Sequence, residues 1–266
     1  MPRLRAQDAE QRRAAARGED FLEALARGLR VITAFDAERR QMTLSDAARA
    51  LDLPRATVRR ALHTLSQLGY VETDGKLFRL TPKILGLAAS YLTSNAVSVV
   101  LQPTCERLAN LVGESSTAAV LDDADAVMIA RAAPTRQLPV GVGVGYRVPA
   151  FCSALGRVLL AARDDDAVER FLAALTPKPE TDRTVLDKKR LRAAIRAVRA
   201  QGFAFVDQEA EAGFRSIAVP VRRYDGVVVC ALNIGARVER ASIETMHERH
   251  LPLLRETATA LATQLI

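Results

Sequence analysis

Arg55, Thr57, Arg59 and Arg60 crowd the start of the segment LPRATVRRALHTLSQLGYV, and no acidic residue falls between Asp52 and Glu72. An arginine fork can grip guanine O6 and N7 with two parallel N–H bonds, and threonine can reach a base edge. A short basic helix presented by a compact helix-turn-helix is what the DNA major groove accepts. Arg55, Thr57 and Arg59 are therefore candidates for base edges, with Arg60, Lys76 and Arg79 for phosphates. Taken alone, a basic amphipathic helix can equally be a solvated face, with Arg59 or Arg60 paired to Asp52 or Glu72.

A second chemical feature lies at Tyr146–Arg157, YRVPAFCSALGR, where Pro149 ends a strand and Ser153 can cap the helix that follows. A helix N-terminus offers free N–H groups and positive potential, so a carboxylate is a reasonable ligand at Ser153–Leu155. Plain structural capping is the alternative. Catalytic chemistry finds little support. His63, His247 and His250 lie far in sequence from Cys152 and Ser153, and no nucleophile motif is evident. Cys105, Cys152 and Cys230 form no Cys-x-x-Cys pair, and the acidic run Asp122-Asp123-Ala124-Asp125 suits a turn better than a metal. Neither a catalytic residue nor a metal or other cofactor is expected.

The elements that position these groups follow from periodicity. Leu22, Leu25, Leu29, Ile32 and Phe35 predict one apolar helix face. Thr43 and Asp46 have capping-box spacing ahead of a helix whose inner face is Leu44, Ala47, Ala48 and Leu51. Asp52-Leu53-Pro54 breaks the chain, and Pro54 suits the start of a new helix burying Val58, Ala61, Leu62, Leu65 and Leu68. Gly69 stops it, and Asp74-Gly75 then turns between two short alternating runs. Three helices and a hairpin make a winged helix-turn-helix, with Lys76 and Arg79 on the wing.

Pro82 opens a further helix that softens at Ser94-Asn95, and another carries Leu101, Cys105, Leu108 and Leu111. The first reads as a dimerising linker; the second could dimerise or pack on the domain that follows. From Ser115 the period becomes two: Thr117–Leu121 and Val127–Arg131 flank the acidic turn. Val140–Gly145 alternates valine with glycine, predicting a strand whose bare glycine face lets a backbone or flat ligand approach. Helices at Ala167–Leu175 and Asp187–Gln201 precede three strand segments over 202–234 and a C-terminal helix. The fold class is α+β: a winged helix-turn-helix, a helical linker and an α/β sensor domain. The boundaries are a flexible arm over 1–20, the reading head over 21–81, the linker over 82–95 and the sensor over 96–266.

Composition agrees. The 266 residues suffice for two domains, and the net charge is +7, of which residues 1–95 carry +5. Positive charge is concentrated around the reading head, as a phosphate-binding surface requires. No apolar run is long enough for a membrane helix, the N-terminus lacks a secretory core, and three scattered cysteines fit a reducing compartment. A cytoplasmic location without membrane contact is expected.

The combination LARGLRVITAF, LPRATVRRALHTLSQLGYV, VPAFCSALGRVLLA and VDQEAEAGFRSIAVPV leading to ALNIGA resembles the IclR family of bacterial transcriptional regulators, most closely those of the protocatechuate/β-ketoadipate branch of aromatic catabolism. The resemblance covers nearly the whole chain from Phe21. It implies a GAF-like sensor binding a small organic acid, and a homodimer, often a dimer of dimers, on operator DNA. Carried over position by position, it places Ala154, Leu155, Asp207, Ser216, Asn233 and Gly235 at the effector pocket. Members binding small keto acids have Cys at position 216 and Ser at 233 and 235; all three differ here, which points toward an aromatic acid or its ring-cleavage product. Ser216 and Asn233 would supply hydrogen bonds, and Arg147 or Arg215 would neutralise the carboxylate. Either arginine could instead form a surface or dimer salt bridge. Asp207, unless protonated, should meet a hydroxyl or an internal N–H. The alternatives are an IclR-type regulator responding to a different small organic acid, a DNA-binding protein without a ligand, or a hydrolase-like enzyme.

Overall fold

The computed structural model describes residues 20–36, 38–94, 96–134 and 142–264. The chain divides between Ser90 and Tyr91 into two compact units. Nearly all of the arm expected over 1–20 lies outside the described residues.

The first unit contains α1 (Glu23–Thr33), β1 (Met42–Thr43), α2 (Leu44–Leu51), α3 (Arg55–Gln67), β2 (Val71–Thr73) and β3 (Leu77–Leu80). The Thr43 hydroxyl accepts from Asp46 N at 3.2 Å while Asp46 Oδ2 accepts from Thr43 N at 3.1 Å, a closed capping box. Such a cap stabilises a helix end by about 1 kcal/mol. Asp52 closes α2 in the left-handed region at φ 50°, and Pro54 then stands as the N-cap of α3. The turn that orients the basic helix is thus set by two residues.

Asp74 Oδ1 accepts from the N–H groups of Lys76 (2.9 Å) and Leu77 (2.8 Å), which tightens the wing and lowers the pKa of the Asp74 carboxyl. The sheet has a third member that periodicity did not reveal. Two-residue β1 pairs antiparallel with β3, giving the order β1-β3-β2. The core gathers Val31, Met42, Ala47, Val58, Leu62, Leu65 and Val71. Of the face predicted around α1, Ile32 and Phe35 pack partly buried against this core beside the buried Val31 and Ala34, whereas Leu22, Leu25 and Leu29 are exposed.

The second unit is built on a six-stranded antiparallel sheet ordered β6-β5-β4-β9-β8-β7. Its strands are β4 (Ser115–Asp122), β5 (Asp125–Ala132), β6 (Arg147–Pro149), β7 (Ala204–Asp207), β8 (Phe214–Arg222) and β9 (Val228–Arg237). The division between the units falls within α4 (Ile84–Ser94), and α5 (Ala96–Val112) belongs to the second unit. Leu101, Cys105 and Leu108 of α5 are buried against one face of the sheet together with Leu254, Ala258 and Leu261 of α9 (Leu251–Ala262). Packing onto the sheet therefore occupies the inner face of α5. The other sheet face is covered by α6 (Ala154–Ala161) and α8 (Lys188–Gln201), with α7 (Asp165–Ala174) behind them.

Asp122–Asp125 does form the tight β4–β5 turn, with Asp123 at φ 53°. The strand expected over Val140–Gly145 is not realised where it can be followed. Val140 and Gly141 lie outside the described residues, and Val142–Gly145 makes a turn in which Gly145 N donates to Met128 O. All three cysteines are buried and free. Burial pushes the Cys105 thiol up to about 11 and the Cys152 thiol up to about 12, and raises that of Cys230 as well. Among the described residues, no helix is long and apolar enough to cross a membrane.

Candidate functional site

On the reading head, Arg55, Arg59 and Arg60 project from the exposed side of α3, opposite the buried Val58, Leu62 and Leu65; Thr57 is half-buried between them. None of the three arginines is ion-paired among the described residues, and α3 has no acidic residue in its first turn. With Lys76, which is exposed on the wing, four exposed cationic side chains have no ion pair among the described residues. Glu72 is taken by Arg79 at 2.7 Å across the β2–β3 pair, so it does not neutralise α3. Both partners of that bridge are exposed, and such a pair is worth little against a phosphate contact.

In the second unit, a cavity of about 460 Å³ opens between the sheet and the N-terminus of α6. The antiparallel register explains its floor. Thr117 of β4 lies opposite both Arg131 of β5 and Asn233 of β9, so these three side chains share one sheet face. Arg131 Nη1 donates to Thr117 Oγ1 at 3.1 Å, whereas its buried Nε has no hydrogen-bond partner among the described residues. Gln102 of α5 holds the Arg131 backbone through two 3.1 Å bonds. Desolvation lowers the pKa of this guanidinium, the expected result of drawing a cation out of water. Asn233 is only 8% exposed, and its Oδ1 also lacks a hydrogen-bond partner among the described residues. Two unsatisfied polar groups on one cavity floor are costly unless something binds there.

The roof is α6. Ser153 Oγ accepts from Gly156 N at 3.2 Å and donates to Pro149 O at 2.9 Å, which fixes the helix start over the cavity. Ala154 and Leu155 line the cavity, and first-turn N–H groups such as theirs have no intrahelical acceptor. Gly156 is what allows this approach: a Cβ there would overlap the Cα and carbonyl of Ala150. Gly156→Ala should therefore push α6 off the β6 edge, costing roughly 1–3 kcal/mol. Thermal unfolding should register a fall of several degrees, and ligand-induced stabilisation should shrink with it.

The structure brings Ser153, Ala154, Leu155, Ser216 and Asn233 together around this cavity. It does not bring Arg147, Asp207, Arg215 or Gly235 to the lining. Arg147 bonds Asp122 and Asp125 at 2.7 and 3.0 Å on the surface. Arg215 points through the other sheet face, where its Nε meets Asp207 Oδ1 at 2.9 Å and its Nη1 donates to Ala241 O. Asp207 also takes Arg183 at 2.9 Å, so it meets internal N–H groups, those of two guanidiniums, and not a hydroxyl. Gly235 acts indirectly. It lies under the Phe214 ring, whose Cε1 would be 2.9 Å from an added Cβ, and Phe214 walls the cavity. A serine at 235 could not coexist with that ring position.

Sequence reasoning missed Arg131, Arg237, Thr117 and Glu211 as lining residues. Glu211 belongs to a well-anchored loop. The neighbouring Glu209 is held bidentately by buried Arg157 (2.7 and 2.6 Å) and accepts from Val185 N.

The residues match two family models: the IclR helix-turn-helix domain over 24–75 and the bacterial transcriptional regulator IclR C-terminal domain over 89–263. The chain belongs to the IclR family. Like other IclR-family proteins, it is a transcriptional regulator that joins a DNA-binding helix-turn-helix to an effector domain. It is 42% identical over 247 residues to the Pca regulon regulatory protein of Pseudomonas putida, covering 92% of this chain and 85% of that one. A crystal structure of an IclR homolog from Microbacterium hydrocarbonoxydans complexed with 4-hydroxybenzoate superposes with a TM-score of 0.77. It is 28% identical, covering 91% of this chain and 99% of that one. A transcriptional regulator from Rhodococcus sp. RHA1 reaches a TM-score of 0.81 at 46% identity, covering 92% and 98%.

Proposed function

We propose that this IclR-family regulator controls a catabolic operon in response to an aromatic acid or its ring-cleavage product, of the protocatechuate, 4-hydroxybenzoate or β-ketoadipate type. The single observation that carries this reading is the pairing, on one cavity floor, of the Arg131 guanidinium with the unpartnered Asn233 Oδ1. Arg131 receives the carboxylate, assisted by the first-turn N–H groups of α6. Asn233 Oδ1 accepts from a hydroxyl at the far end, with Ser216 beside it. A volume of about 460 Å³ suits a single-ring acid with ordered water. The effector bound by the Microbacterium homolog and the Pca function of the Pseudomonas relative support the same class.

In the first unit, Arg55, Thr57 and Arg59 read base edges while Arg60, Lys76 and Arg79 hold phosphates. The reading head spans 21–81, the linker 82–95 and the sensor 96–266, in a cytoplasmic protein. The chain works as a homodimer, and two dimers pair on some operators. The exposed Leu22, Leu25 and Leu29 stripe on α1, with Leu85 and Leu87 on α4, supplies apolar surface for a second copy. Effector acts by favouring one arrangement of the dimer over another.

Calorimetry with protocatechuate, 4-hydroxybenzoate, β-ketoadipate and pyruvate tests the reading on a sample whose light-scattering mass is first recorded. One of the first three acids should bind at micromolar concentration to a particle of at least two chains. Binding of pyruvate alone would refute the aromatic-pathway assignment.

A further inference from the structure

Of the described residues that line the cavity, three carry charge: Arg131, Glu211 and Arg237. They are not equivalent. Arg237 lies on β9 two positions beyond Gly235, on the same face, and its Nη2 meets Glu211 Oε1 at 2.9 Å. Both partners are about half-exposed, which puts this pair at the rim. Arg131 lies on the floor and has no ion pair among the described residues; the nearby negative charge of Glu211 acts on it through space.

We propose that Glu211 sets the charge class of acid that the cavity accepts. Paired to Arg237, it leaves Arg131 as the single uncompensated cation among the described lining residues, so within the class proposed above the cavity takes the aromatic monocarboxylates and discriminates against dicarboxylates, β-ketoadipate included. The inference rests on the reading of this cavity as an acid-binding site.

Two observations make Glu211 an effective barrier. First, its backbone is pinned. Phe214 N donates to Glu211 O at 3.2 Å, Gly213 N donates to Gln208 Oε1, and Glu209 is locked to Arg157 and to the hydroxyl of Thr184. The carboxylate therefore cannot retreat by moving its loop. Second, the charges of the described lining residues sum to one positive charge, which one ligand carboxylate compensates. A second ligand carboxylate would meet Glu211 instead of a free cation, and like charges juxtaposed in a partly dehydrated site oppose binding. Discrimination of about tenfold, or ~1.4 kcal/mol, is a reasonable scale at a half-exposed rim.

The test is calorimetric titration of the full chain with 4-hydroxybenzoate and with adipate, a flexible dicarboxylate, at fixed ionic strength. Wild type should favour 4-hydroxybenzoate. Glu211→Gln should raise adipate affinity about tenfold and raise 4-hydroxybenzoate affinity by a clearly smaller factor. Arg237→Ala, which leaves Glu211 unpaired, should weaken both acids and adipate more. Glu239→Gln removes an exposed carboxylate that does not line the cavity and controls for net charge. Wild type binding adipate as tightly as 4-hydroxybenzoate would overturn the proposal. So would Glu211→Gln shifting both acids by one common factor, or leaving adipate unbound. If wild type ignores both 4-hydroxybenzoate and protocatechuate yet Glu211→Gln gains adipate, the aromatic assignment falls while the role of Glu211 stands.

Discussion

Arg131→Ala is expected to weaken binding of 4-hydroxybenzoate, or of whichever acid of that class the chain takes, by roughly 30- to 1,000-fold. Removing one partner of a buried charged contact costs about 2–4 kcal/mol, because the remaining carboxylate is left desolvated and unpaired. The apo protein should respond in the opposite sense. Arg131 is half-buried, its Nε lacks a partner among the described residues, and desolvation already disfavours its charge. Deleting it therefore removes an electrostatic penalty from the empty sensor. Thermal scans should show an unchanged or slightly raised midpoint without ligand and a ligand-induced shift that has vanished. Arg131→Lys should recover only part of the affinity, since a point charge cannot reproduce the planar fork. Wild-type affinity in Arg131→Ala would remove the guanidinium from the proposed contact set.

The second large effect concerns the DNA. Arg59→Ala should reduce operator affinity by about 5- to 150-fold, the value of one bidentate base contact at ~1–3 kcal/mol. Affinity for unrelated DNA should fall far less. Lys76→Ala should lower affinity for every sequence alike and flatten the salt dependence by about one phosphate contact. The contrast follows from position: Arg59 is exposed on α3 one turn beyond Arg55, whereas Lys76 is exposed in the wing turn. Gel-shift titrations at two salt concentrations, with operator and with scrambled competitor, separate the two behaviours. Unaltered affinity in both variants would sink the assignment.

The reading head was legible because its signals are local. The Thr43–Asp46 box, the Asp52–Pro54 break and the Asp74-Gly75 turn each fix backbone within four residues. Ser153 as a cap belongs to the same class. The cavity was only half legible because its floor is assembled by register across strands distant in sequence. Arg131 becomes a pocket residue only when Thr117 is placed opposite it and Asn233 on the far side of Thr117. Part of the error was avoidable. Successive strand residues face opposite ways, so choosing Ser216 for the pocket already excludes Arg215, and a pocket-facing Tyr146 and Val148 exclude Arg147. The same alternation carries Asn233 forward through Gly235 to Arg237. Glu211 had no such signal, since it sits on a loop whose path is set by distant Arg157 and Thr184.

The burial of all three thiols has a practical use. With Cys105 at about 11 and Cys152 at about 12, fewer than about one thiol in a thousand is ionised near neutral pH, and Cys230 is shifted in the same direction. The folded chain is thus a nearly silent background for maleimide chemistry without any cysteine being removed. A single cysteine introduced at exposed Thr73 on the wing and another at exposed Tyr224 on the β8–β9 turn would accept donor and acceptor dyes. Such a pair reports, in solution and in real time, how far each end of the regulator travels when an acid arrives.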